Sequence, residues 1–125
     1  MVDADRVTST AAEPEIVVTP SASGLGQRIA RCSTCRVAVW SHYAGSGPVF
    51  KFVRVGSLDE PGLLPPDVHI FTASKQPWVV LASGVPSFPA FYDRDTLWPA
   101  ASLGRRQALE PQVAAYRASL PQAAL

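Results

Sequence analysis

Cysteine is nearly absent from this 125-residue chain: Cys32 and Cys35 are the only two. So few thiols exclude a framework of several disulfides and favour a reducing environment. Long hydrophobic runs are missing too. The longest apolar stretch is residues 78–82, far short of the ~20 residues a membrane span needs. No apolar core follows the acidic N-terminal residues Asp3 and Asp5, so no secretory leader is visible and a cytoplasmic location is expected. The formal net charge of +1 removes the electrostatic case for nucleic acid or an anionic membrane as partner. There is no glycine-rich phosphate loop, no GxSxG elbow and no HExxH helix. Internal repeats and low-complexity tracts are also missing.

What the chain does have is apolar content and proline. With 47% hydrophobic residues and a mean hydropathy of +0.11, it can build a core of single-domain size. The 12 prolines fall between short β-rich runs, where a ladder that needs its N–H groups tolerates them. Glu15–Thr19 reads as a strand, and Gln27–Arg31 leads into the cysteines. Residues 36–43 alternate, with Val37 and Val39 opposite Ala38, Trp40 and His42. Residues 49–55 alternate again after the turn cluster 44–48. Two further short strands are expected at 68–72 and 78–81. From Ala100 the composition turns to Ala, Leu, Arg and Gln, which favour helix. Leu109, Val113, Tyr116 and Leu120 recur at helical spacing. Pro111 fits a first turn better than a helix interior, so one broken helix or two short ones are expected.

The chemistry-bearing motif is Cys32-Ser33-Thr34-Cys35. Two thiolates at this spacing clamp one side of a Zn²⁺ ion, and a closed structural site needs about four ligands. The pair is therefore half of a site. A redox CxxC sits at a helix N-terminus, where the dipole lowers the first thiol's pKa; here a β-alternating run follows. A zinc knuckle lies in a tight turn between strands, which is this context, although Arg36 stands where a glycine would relieve the turn. Plain structural cysteines are the remaining alternative. His42 and His69 are too far apart in sequence for a paired His motif, and a lone strand histidine is more often a hydrogen-bonded core or cleft residue. Asp59-Glu60 reads as a solvated turn.

Four ordered blocks carry a resemblance: Cys32 to Cys35, Gly56-Ser57-Leu58-Asp59-Glu60-Pro61, Pro66-Asp67-Val68-His69-Ile70-Phe71, and Lys75-Gln76-Pro77-Trp78. The sequence resembles the glutathione-dependent formaldehyde-activating enzyme family, also called the centromere protein V family. The resemblance implies a mainly β, Mss4-like zinc-binding fold and carbon–sulfur lyase chemistry that joins or separates formaldehyde and glutathione as S-hydroxymethylglutathione. It implies that Cys32 and Cys35 are metal ligands of a structural zinc. It also makes His69 a candidate for proton handling, and Lys75 and Trp78 candidates for lining a site for a glutathione-type thiol substrate.

The family carries an upstream CxC that closes the structural site and a CxCxxC cluster that holds a catalytic zinc. Neither has a counterpart in this sequence. The resemblance therefore implies an N-terminally truncated domain: residues 1–98 as a partial β domain and 99–125 as a C-terminal helical extension. Such a chain is expected to be inactive alone. A homodimer that pools two CxxC pairs is the non-catalytic alternative, and an open sheet edge would favour pairing with another chain.

Overall fold

The computed structural model describes residues 1–21 and 24–120. Five strands form one antiparallel sheet: β1 (Val2–Asp3), β2 (Glu15–Thr19), β3 (Gln27–Arg31), β4 (Ala38–Tyr43) and β5 (Phe50–Val53), in the order β1-β5-β4-β3-β2. Two helices follow, α1 (Arg94–Leu97) and α2 (Ala100–Ala118). The architecture is mainly β, a sheet with a C-terminal helix. The chain divides into two compact units, Met1–Asp59 with Ala108–Leu125, and Glu60–Gln107. Among the described residues no helix is long and apolar enough to cross a membrane.

In the first unit, the short loops make β2 to β5 an antiparallel meander, because each tight connection can only return the chain beside itself. Register brings Val18, Arg28 and His42 side by side across three strands, and Ile16, Ala30 and Trp40 form the next row on the same face. Both faces of β3 are covered at its centre: Ile29 and Ala30 point to opposite sides and both are buried. Phe50 and Val113 complete the buried apolar set of this unit. Ser41 is buried as well, and Arg54 satisfies its hydroxyl by donating from Nη2 at 2.7 Å. Lys51 sits over the Trp40 ring, 4.5 Å from its centroid, and donates to the Val7 carbonyl at 3.0 Å.

The broken helix expected around Pro111 is corrected: α2 is continuous through it. Tertiary anchoring outweighs the lost N–H. Val113 is fully buried, Tyr116 lies against Gly47, and Arg117 Nε donates to the Gly45 carbonyl at 2.7 Å. The helix loses only the bond that Pro111 would have given to the Gln107 carbonyl, and the boundary between the units falls directly after Gln107.

The strands expected at 68–72 and 78–81 are also corrected. Neither forms in the second unit; only an isolated parallel bridge joins His69 to Ser87. Residues 69–73 do exchange hydrogen bonds with 86–90: His69 N–H to Pro86 O, Thr72 N–H to Phe88 O, Ala73 N–H to Pro89 O and Phe88 N–H to His69 O. Pro86 and Pro89 accept but have no N–H to return, so the ladder cannot propagate. Phe71 in the left-handed region (φ 54) breaks the extended run again. Val80 and Trp78 are 92% and 75% exposed, so the apolar run that looked like a buried strand lies on the surface. Stacked Phe91 and Tyr92 and the Trp98 Nε1–H bond to the Tyr92 hydroxyl hold this unit's C-terminal part.

Candidate metal centre

Cys32 to Val37 form the connection between β3 and β4. The Cys32 N–H donates to Val37 O at 2.9 Å and the Arg36 N–H donates to Cys32 O at 3.0 Å, so the loop closes on itself before the strands diverge. Backbone N–H groups of Cys35 and then Thr34 donate to the Cys32 sulfur, and together with the Cys35 thiol they hold the Cys32 thiol below its usual pKa; desolvation opposes them. Fixed donors aimed at one sulfur favour its thiolate, the form that ligates metal. Cys35 is exposed and Cys32 partly so, and no disulfide joins them. The segment from Cys32 to Val37 is turn and coil, so neither cysteine sits at a helix N-terminus.

Arg36 carries the left-handed conformation of this turn, with φ 64. That is the position where a glycine would be free of strain. Three bonds hold it there instead: its N–H to Cys32 O, the Arg31 guanidinium on its carbonyl at 3.0 Å, and its own guanidinium on the Glu15 carboxylate of β2. The pair leaves the Glu15 carboxyl below and the Arg36 guanidinium above its ordinary value, each because of the other.

Two expectations follow. A left-handed non-glycine residue costs about 1–2 kcal/mol, whereas an exposed ion pair contributes little. Arg36→Gly should therefore melt above the wild-type temperature, and Arg36→Ala, which keeps the strain and loses the pair, at or slightly below it. Thermal unfolding of the three proteins checks the order. The Glu15 contribution has a definite sign with pH. Because its folded value lies below the unfolded one, the stabilisation is complete above the ordinary Glu range near 4.5 and is lost as pH falls through the folded value. Glu15→Gln should be slightly less stable than wild type at pH 7 and indistinguishable from it at about pH 2, as read by urea denaturation.

The other sequence candidates lie elsewhere. His42 stands on the same face as Arg28, toward the end of β4 away from the cysteines. Its Nδ1 lies 2.8 Å from the Phe50 carbonyl; a carbonyl only accepts, so Nδ1 carries the proton and donates. His42 is thus a hydrogen-bonded cleft residue. His69 is in the second unit, its Nε2 buried without a hydrogen-bond partner among the described residues. Lys75 and Trp78 are exposed in that unit. Among the described residues no group of three or more His, Cys, Asp or Glu side chains is arranged to hold a metal. The described residues thus offer two thiols at the β3–β4 turn, and no third ligand stands beside them. Sequence reasoning missed the part played by Glu15 and Arg31. Arg31 adjoins Cys32 in sequence, but Glu15 lies far back on β2 and only the strand pairing Glu15↔Arg31 brings it beside the turn.

The family model described as "Glutathione-dependent formaldehyde-activating enzyme" matches residues 1–74. That span holds the whole sheet, the cysteine turn and three of the four sequence blocks, with 75–78 just beyond it. The chain belongs to this family. The sheet with its cysteine turn is consistent with the Mss4-like fold. No curated protein and no solved structure matches the chain.

Proposed function

We propose that this chain is a zinc-dependent member of the family, of the carbon–sulfur lyase type, in which Cys32 and Cys35 supply two of the four ligands of a structural zinc. The turn's construction supports this reading most: N–H groups converge on the Cys32 sulfur, and a strained Arg36 is held by three bonds where a plain hairpin would need none. Zinc bound there would tie the β3–β4 turn to whatever supplies the other two ligands and would add to folding stability.

Addition of a glutathione thiol to formaldehyde needs a thiolate and a polarised carbonyl near neutral pH. Both cysteines of this chain are committed to the turn. His69, Lys75 and Trp78 could serve a thiol substrate only beside a centre that activates the thiol and polarises the carbonyl, and no group of metal-ligating side chains among the described residues provides one. We therefore infer that the polypeptide alone does not catalyse the reaction. Two copies that pool their CxxC pairs would close the structural site, a reading favoured by the exposure of Cys35 and by the absence of a third ligand among the described residues.

The direct test is exchange NMR on glutathione and formaldehyde with the purified, zinc-supplemented chain. The expected rate is the uncatalysed one. An accelerated rate that disappears with the protein would overturn the inferred inactivity. The zinc assignment is tested separately by metal content.

A further inference from the structure

A second site lies at the opposite end of the same hairpin. Beside Arg28 and His42 is an open cleft of about 420 Å³, walled by Ile16, Val18, Leu25 and Tyr116 among others. The volume is in the range of small-molecule sites. Arg28 is four residues from Cys32 along β3, or roughly 13 Å at strand rise, so the cleft is distinct from the cysteine turn and owes nothing to the zinc reading.

The polar content of the cleft is uneven. Arg28 is flanked by Val18 and His42 in register, and its guanidinium has no ion pair or side-chain hydrogen bond among the described residues. Among the described residues no carboxylate lines the cleft, so none of them neutralises the charge. His42 cannot do so, since its Nδ1–H already points to the Phe50 carbonyl. The remaining walls are largely aliphatic and aromatic. A bare inorganic anion would leave them wet. A neutral apolar molecule would leave the guanidinium, which is exposed, paired with water alone. A planar carboxylate matches the guanidinium fork in two parallel bonds, and an apolar body attached to it would cover Ile16, Val18 and Leu25.

We propose that this cleft binds a small organic carboxylate with an apolar body, anchored by Arg28. The test is a methyl NMR titration of the full chain with 3-phenylpropionate and with its uncharged counterpart 3-phenylpropan-1-ol. The expected result is saturable shifts at Ile16, Val18 and Leu25, with the alcohol weaker by about tenfold for loss of a charge-assisted bond. Arg28→Gln should reduce the carboxylate to the alcohol's affinity, while Arg6→Gln, an equal charge change on an exposed residue outside the cleft, should leave it unchanged. Equal binding of the two probes overturns the proposal. So does equal loss in the two arginine variants, or no saturable shift up to roughly 10 mM, the weak end of ligand affinity. If Arg28→Gln fails to fold, the comparison of the two probes on the wild-type chain still decides.

Discussion

Gly47→Ala is expected to be among the most damaging single substitutions in the sheet unit, costing about 3 kcal/mol and roughly 10 °C or more of thermal midpoint. Two independent terms combine. Gly47 has φ 54, a conformation that costs a residue with a Cβ about 1–2 kcal/mol. A Cβ placed there would also clash with the Tyr116 ring, and overpacking of that kind typically costs another 1–3 kcal/mol. The same contact anchors α2 beside β4, so strain at Gly47 is passed to the helix that buries Val113. Two controls separate the causes. Gly45→Ala, in the same turn, meets nothing within 4 Å and has no positive φ, and should be close to neutral. A double-mutant cycle with Tyr116→Ala should recover the steric part, a coupling of about 1–2 kcal/mol, and leave the backbone part in place. Equal losses from Gly45→Ala and Gly47→Ala would show that the Tyr116 contact does not hold the turn.

Cys32→Ser and Cys35→Ser should each remove bound zinc altogether, since a two-thiolate half-site cannot lose a ligand and keep the ion. Structural zinc sites couple binding free energies of about 10–16 kcal/mol to folding in small zinc domains, so the effect on stability is expected to be large. Zinc-loaded wild type should unfold well above its chelator-treated form, and both variants should unfold with the latter whether or not zinc is added. His42→Ala should leave zinc content unchanged, because the His42 ring is fixed to the Phe50 carbonyl away from the thiols. A chromophoric zinc indicator with a strong chelator reads the wild type and all three variants. Zinc loss in His42→Ala would mean that the imidazole, not a second CxxC pair, completes the site.

The sheet was legible from sequence where alternation and turn residues agreed. Val37 and Val39 opposite Trp40 and His42, then the Gly/Pro turn, then Phe50 and Phe52 opposite Lys51 and Val53 left little choice of register. The same cues misled at residues 78–81. An apolar, β-branched run is a strand only when a neighbour pairs with it, and among the described residues none does: Val79 N–H turns back to the Gln76 carbonyl, and Trp78 and Val80 lie on the surface. Pro111 misled in the other direction: local propensity argues for a break, and the burial of Val113 with the Gly47–Tyr116 contact overrides it. The cysteine turn was legible from its spacing, and Arg36 was legible as an anomaly in it. Its remedy was not, because Glu15 lies far back in the chain and meets Arg36 only through the β2–β3 pairing. The Arg28 cleft was invisible for the same reason. Val18, Arg28 and His42 share no sequence motif, and only register puts them in one row.

The proposed pooling of Cys32 and Cys35 from two copies into one structural zinc site is open to native mass spectrometry of the zinc-supplemented protein, with metal content measured on the same sample. The expected species is a dimer carrying one zinc ion, about half an ion per chain as four thiolate ligands require, which reverts to metal-free monomer in Cys32→Ser. A metal-free monomer at saturating zinc, or zinc retained in Cys32→Ser, would contradict it.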